Sequence, residues 1–165
     1  YCLRGRQFLR EVRKASLRFA REMFARAIRV DPESGLAHAG LAEALALLHL
    51  YYPPDEEQLA EADRASQRAV ALAPELAAAH MARGVTLFRL KRGAEARRAL
   101  DRAMALDSSL YEAPYYDARV AFEDGRLEDA ARLFHQAARV REYYPASFFA
   151  AQASEAISGG PHGAK

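Results

Sequence analysis

Residue types that carry out enzyme chemistry are sparse in this chain of 165 residues. The sequence contains no GxxxxGKS, GxxxxGKT or GxGxxG loop that would hold a phosphate. It has no GxSxG turn that would present a nucleophilic serine, and no HExxH or Cys/His cluster with the spacing of metal ligands. Because catalysis requires several polar groups held together in a pocket, we expect no catalytic residue, no cofactor and no enzyme activity.

Two histidines recur in a way that could support metal chemistry. His38 and His80 occupy equivalent places in two similar segments, AHAG and AHMA, so their imidazoles could begin a metal site. Zinc sites use three or four protein ligands, and no third ligand is evident for this pair. The other interpretation is that each ring packs between helices, and we therefore expect no bound metal.

A repeated segment predicts the helices that must position any functional site. Four stretches resemble one another: FARAIRVDP (24–32), SQRAVALAP (66–74), LDRAMALDS (100–108) and FHQAARVRE (134–142). Alanines lie four residues before and three after the first position of each: Ala20–Phe24–Ala27, Ala62–Ser66–Ala69, Ala96–Leu100–Ala103 and Ala130–Phe134–Ala137. The first alanines are separated by 42, 34 and 34 residues. Since alanine lets two helix backbones approach closely, the pattern predicts paired helices with these alanines buried at the crossings.

A period of 34 residues is that of the tetratricopeptide repeat (TPR), and residues 15–142 resemble this family. The resemblance implies an all-α fold, an α-solenoid wound as a right-handed superhelix from about four helix-turn-helix repeats and a terminal helix. The TPR domain is expected over 1–158, with a flexible tail over 159–165. Its expected parts are repeats at 1–34, 35–76, 77–110 and 111–144 and a terminal helix at 146–157.

Two repeats depart from the regular pattern. In the first, the helices are expected at 2–14 and 16–30. In the second, the insertion HLYYPPDE lies between helices expected at 35–50 and 56–73, which explains the single spacing of 42. Asp55, followed by Gln58, is expected to cap the second of these helices after the Pro53–Pro54 stop.

Composition favours packed helices and a protein without membrane spans. Apolar residues make up 51% of the chain, tryptophan is absent, and only seven prolines and nine glycines interrupt it. No run of 18 apolar residues is present, so we expect no membrane segment.

Cys2 is the single cysteine, which favours a reducing compartment, and we expect a cytoplasmic location. The chain starts at Tyr1 inside a helical pattern with no signal peptide, so we interpret it as part of a longer protein.

Basic residues concentrate at the start of the chain. Residues 1–32 hold nine Arg and Lys against three Asp and Glu, a net charge of +6, whereas the whole chain carries +2. This basic end could steer an acidic partner or pack against an acidic domain, or it could simply solvate an exposed helix face. Elsewhere basic and acidic residues alternate, so we expect no direct binding of nucleic acid.

Residues 1–80 carry a narrower resemblance. The segments YCLRGRQFLRE and AHAGLAEALALL, with a longer second hairpin ending in PP, are similar to TPR regions of bacterial winged-helix transcription regulators and adenylate cyclases. This resemblance implies a bacterial signalling protein, in which the chain is a regulatory domain that acts by self-association.

The TPR resemblance also implies a binding groove, because the first helices of such repeats line a concave face. The matching positions are Arg6, Leu9, Arg13, Ala39, Glu43, Leu47, Met81, Val85, Phe88, Arg89, Tyr115, Tyr116, Arg119, Phe122, Glu123 and Phe149. Exposed rings near Arg89 and Arg119 are typical of a protein-binding hot spot, although several of the rings could instead pack between helices. Glu43, Val85 and Arg119 stand where some TPR proteins carry the asparagines of a carboxylate clamp. We therefore predict a non-catalytic scaffold that binds a peptide or protein segment, but not a chaperone tail.

The terminal helix, PASFFAAQASEAI, carries few polar residues for an end exposed to water. Phe148 and Phe149 cannot both face inward easily, which predicts an apolar patch near Phe149. The patch would serve self-association into a homo-oligomer or docking of another part of the same protein. The alternative is that both rings pack inward and the protein is a monomer.

Overall fold

The computed structural model describes residues 1–11, 13–110, 112–140 and 156–157. Within these ranges the chain forms eight α-helices and no β-strand, as the repeat pattern predicts. The helices are Cys2–Leu9 (α1), Lys14–Val30 (α2), Gly35–Tyr51 (α3), Glu56–Leu72 (α4), Ala77–Arg89 (α5), Gly93–Leu106 (α6), Glu112–Glu123 (α7) and Leu127–Val140 (α8).

The helices belong to two compact units, one over Tyr1–Leu106 and one over Asp107–Lys165. In the first unit each helix packs against the next, from α1 to α6. The first helices of its three repeats also pack side by side, α1 on α3 and α3 on α5. In the second unit α7 packs on α8.

The repeated alanines lie at the helix crossings, which confirms the prediction. The first alanine of every copy is fully buried: Ala20, Ala62, Ala96 and Ala130. The bulky residue four positions later fills the space beside it. The ring of Phe24 lies against Gly5 of α1 and Gly40 of α3, and a β-carbon at either glycine would overlap the ring. Leu100 lies against Gly84 of α5 in the same way, with its Cγ only 2.6 Å from where a β-carbon would stand.

The second copy has Ser66 at the bulky position, and a polar cluster fills the space there. Arg83 of α5 forms an ion pair with Asp63 of α4 and donates from Nη1 to Ser66 Oγ at 3.0 Å. The buried Ser66 hydroxyl donates in turn to the Asp63 carbonyl oxygen. An arginine from the next repeat therefore takes the place that an apolar side chain fills in the other copies.

The first hairpin turns earlier than predicted. The sequence predicts helices over 2–14 and 16–30, whereas α1 ends at Leu9 and α2 begins at Lys14. A single residue cannot reverse the direction of a helical chain, since connections between packed helices take at least two. Arg13, predicted to lie on the first helix of the groove, is instead the N-cap residue of α2, with an extended backbone.

The insertion in the second repeat lengthens its helices. α3 and α4 have 17 residues each, compared with 13 in α5 and 14 in α6. Asp55 caps α4 as predicted, accepting at Oδ1 from the backbone N–H groups of Glu57 and Gln58. The Gln58 side chain donates to the other carboxylate oxygen at 2.8 Å. The second hairpin therefore extends about one helical turn beyond the third at its tip.

The hairpins of the third and fourth repeats share one turn geometry. The N–H of Arg92 donates to the Leu87 carbonyl, and the N–H of Arg126 donates to the Ala121 carbonyl, both at 2.9 Å. The residue before each arginine has a positive φ, 60° at Lys91 and 75° at Gly125. This left-handed conformation suits glycine and strains other residues, so Lys91 carries a conformational cost that Gly125 avoids.

We expect Lys91→Gly to raise the free energy of unfolding by about 1 kcal/mol, because it relieves the left-handed strain. Gly125→Ala should lower the free energy of unfolding by about 1–2 kcal/mol, because alanine is strained in the left-handed conformation. No atom lies within 4 Å of the added β-carbon, so a steric clash adds nothing to this cost. Urea denaturation of each variant beside the wild type measures both changes. A stabilising Gly125→Ala would contradict the assignment of the turn.

Candidate functional site

The predicted groove residues divide between the two units. Those on α1, α3 and α5 belong to Tyr1–Leu106, and those on α7 belong to Asp107–Lys165. Because α1, α3 and α5 pack side by side, they form one continuous layer, whose outer surface we call the first-helix face. Phe149, the neighbouring Phe148 and most of the predicted terminal helix lie outside the described residues.

Many predicted groove residues are buried. In the first unit they are Leu9, Ala39, Leu47, Met81, Val85 and Phe88. In the second unit the Tyr115 ring is 1% exposed and packs at 5.9 Å from the Phe134 ring and 5.1 Å from the Tyr116 ring. The rings of Phe88, Tyr115 and Tyr116 are thus buried, as expected from the interpretation in which rings pack between helices. They lie beneath the surface and do not form it.

The accessible residues of the predicted set are mostly charged. They are Arg6, Arg13, Glu43 and Arg89 in the first unit, and Arg119, Phe122 and Glu123 in the second. Among the described rings of the set, Phe122 is the one that reaches solvent, with 36% of its surface exposed. Any ligand of the first-helix face would therefore meet charged groups above an apolar layer.

Arg89 is held in place by two neighbours. Its Nε donates to Nδ1 of His49 at 3.2 Å, across from α5 to α3. Its guanidinium carbon lies 5.5 Å from the centre of the Phe88 ring, within the range of a cation–π contact. The side chain of Arg89 is half-buried, so its orientation is fixed while part of it remains accessible.

His49 was not among the residues singled out from the sequence. It lies in the part of α3 lengthened by the insertion and is only 7% exposed. Its Nε2 has no hydrogen-bond partner among the described residues, and Glu56 Oε1 stands 3.8 Å away. Burial and the positive charge of Arg89 lower the pKa of His49, so the ring is neutral with Nδ1 as the acceptor. The sequence signal that could have identified His49 is its place at the start of the insertion HLYYPPDE.

In the second unit, too, an aromatic side chain orients an arginine. Arg119 donates from Nη1 to the Tyr115 hydroxyl at 3.4 Å, and its guanidinium carbon lies 6.0 Å from the centre of that ring. The buried tyrosine therefore orients a half-buried arginine, with Phe122 one turn further along α7.

His38 and His80 serve the turns between repeats. Nε2 of His38 bonds to the Pro32 carbonyl oxygen at 2.9 Å, and Nε2 of His80 bonds to the Pro74 carbonyl oxygen at 2.7 Å. The recurring proline and histidine, six residues apart, were the sequence signal for this bond.

Within the described ranges no cluster of three or more His, Cys, Asp or Glu side chains could hold a metal ion. None of the described helices combines the length and apolar character needed to cross a bilayer.

The arrangement of helices is that of TPR proteins. The chain superposes on TTC0263, a thermophilic TPR protein of Thermus thermophilus, with a TM-score of 0.69 and 22% identity, over 82% of this chain and 72% of that one. The first TPR of Spaghetti (RPAP3), bound to the HSP90 peptide SRMEEVD, gives a TM-score of 0.62 and 19% identity, over 74% and 94%. YrrB, a TPR protein with an unusual peptide-binding site, gives 0.58 and 18%, over 89% and 72%.

No protein-family model matches the sequence, and no curated protein is significantly similar to it. The structural likeness alone establishes the fold, an all-α TPR solenoid.

The proline–histidine bonds should contribute measurably to stability. We expect His38→Ala and His80→Ala each to lower the free energy of unfolding by about 1 kcal/mol, the net value of one hydrogen bond. His135→Ala removes an exposed histidine of α8 and should change it by less than about 0.5 kcal/mol. Urea denaturation compares the three, and equal losses in all of them would contradict the assigned bonds.

His49 should make stability depend on pH. Because its pKa in the folded chain lies below the ordinary value of 6.5, the unfolded chain takes up this proton at a higher pH than the folded chain. Folding is therefore destabilised as the pH falls below about 6.5. The free energy of unfolding of His49→Gln should fall less steeply between about pH 7 and pH 5 than that of the wild type. Parallel curves for the two proteins would show that His49 does not titrate in this way.

Proposed function

We propose that this chain is a non-catalytic interaction module that binds a segment of another protein on the first-helix face. The concave surface lined by first helices is where stacked repeats of this kind offer an extended binding area. In the unit Tyr1–Leu106 this face presents Arg6, Glu43 and Arg89 above buried apolar side chains. Two structurally similar TPR proteins support the proposal, since one was solved with a peptide and the other has a peptide-binding site.

The observation that carries the proposal is the fixed orientation of Arg89. A guanidinium already held by His49 and Phe88 loses little side-chain freedom on binding. Its planar fork suits a carboxylate or a backbone carbonyl of the ligand. Glu43, on the adjacent α3, adds a negative charge to the same face, so a segment with both charges would fit.

The ligand we propose is an internal segment and not a C-terminal carboxylate. Val85 stands at one of the positions where a carboxylate clamp needs an asparagine, and its side chain is fully buried and apolar. Glu43, at another of these positions, would repel a carboxylate. Two positions of the face therefore lack the amide donors that such a clamp requires.

Peptides selected from a random phage-displayed library against the immobilised chain supply ligands for the test. Fluorescence anisotropy with the labelled peptides then measures their affinity. We expect Arg89→Ala to weaken binding about tenfold, as for a hot-spot arginine worth roughly 1–2 kcal/mol. Arg98→Ala, at an exposed position of the second helix α6, is the control and should change affinity less than about twofold. Selected peptides that bind both variants and the wild type equally would contradict the proposal that Arg89 anchors the ligand.

A further inference from the structure

A basic cleft lies outside the first-helix face. It encloses about 500 Å³ between α2 and the turn that joins α3 to α4. Lys14, Arg18 and Arg21 line it from α2, and the opposite wall includes Tyr52, Pro53 and Pro54. Four of the lining residues, Tyr52, Pro53, Pro54 and Asp55, belong to the insertion HLYYPPDE.

The three cations of the cleft form no ion pair with any residue in the described ranges. All three side chains are exposed at the rim. Lys14 lies with its Nζ 5.6 Å from the centre of the Tyr52 ring, a contact that places the ammonium group beside the opposite wall. The ammonium group of Lys14 therefore reaches across the cleft, whereas Arg18 and Arg21 line it from α2.

Two nearby acidic side chains contact other residues, and a third offsets part of the positive charge of the cleft. Glu22 pairs with Arg26 on α2 at 2.5 Å. Glu11 accepts a hydrogen bond from the Ser16 hydroxyl. Asp55 lines the cleft and caps α4, and its hydrogen bonds with Gln58 and Glu57, together with the charge of Arg21, lower the pKa of its carboxyl. Three cations therefore face one carboxylate in the cleft, which keeps a net positive charge.

The three cations together span a length close to that of a short extended peptide. At 1.5 Å per residue, Lys14 and Arg18 are separated by about 6 Å along α2, and Arg18 and Arg21 by about 4.5 Å. Alternate side chains of an extended segment point to the same side and lie about 6.6 Å apart. The three cations span about 10.5 Å along α2 and three alternate side chains span about 13 Å, and flexible Lys and Arg side chains can make up the difference. Pro53 and Pro54 line the opposite side of the cleft.

We propose that this cleft binds an extended acidic segment of a partner protein, as a second site distinct from the first-helix face. The segment carries Asp or Glu at alternate positions and lies between α2 and the tip of the second hairpin. This site accounts for Lys14, Arg18 and Arg21 on α2 and for the tip of the insertion at Tyr52, Pro53 and Pro54, which the first-helix face does not use.

The probe for this site is a fluorescein-labelled octapeptide of alternating glutamate and serine, with a glutamine–serine peptide as its uncharged counterpart. We expect Arg18→Glu/Arg21→Glu to weaken binding of the glutamate peptide at least tenfold in fluorescence anisotropy at low ionic strength. Arg29→Glu/Arg98→Glu changes the net charge equally at exposed positions away from the cleft and should weaken it less than threefold. Arg89→Ala should leave it unchanged, which separates this site from the first-helix face.

Four results would overturn the proposal. They are no binding of the glutamate peptide to the wild type, equal binding of the glutamine peptide, equal losses in the two charge-reversed proteins, and no loss in either. Circular dichroism verifies that each variant is folded. If the reversal at Arg18 and Arg21 unfolds the chain, Arg18→Gln/Arg21→Gln replaces it, and at least a threefold loss is then expected.

Discussion

The ring of Phe24 holds three helices together, and the first unit depends on it. The ring comes from α2, and it occupies space that Gly5 of α1 and Gly40 of α3 leave open. One side chain therefore fixes both the packing within a repeat and the packing between repeats. Interiors packed at this density tolerate little change in volume. As a result α1 and α3 stay side by side, and the first-helix face is continuous.

The joints between repeats are not all alike. Pro32 and Pro74 each accept a bond from the histidine that follows six residues later, but the corresponding places further along the chain hold Ser108 and Pro114. Proline has no side-chain donor, so that bond cannot form there. The boundary between the two compact units falls at this joint, after Leu106. The loss of a repeated bond and the division of the chain thus coincide.

The sequence predicted the helices well because the spacing of small and bulky residues is a local property. It predicted less well which side chains are exposed, because the burial of a side chain depends on contacts with residues distant in the sequence. Tyr115 and Arg119 lie one turn apart on the same side of α7, yet the ring is buried and the guanidinium is half-exposed, since Phe134 of α8 lies against the ring. The contact of His49 with Arg89 joins residues 40 positions apart, which no periodicity reveals. The resemblance of residues 1–80 to bacterial regulators and cyclases stays a prediction.

The insertion in the second repeat connects both candidate sites. Its extra turn of α3 carries His49, which orients Arg89 on the first-helix face. Its tip carries Tyr52, Pro53 and Pro54, which wall the basic cleft. Identical repeats would present nearly identical surfaces, so recognition of a particular partner requires a local departure from the repeat. Departures of this kind are expected at functional sites. The regular repeats therefore provide the scaffold, and the one long hairpin supplies the features that distinguish its surface.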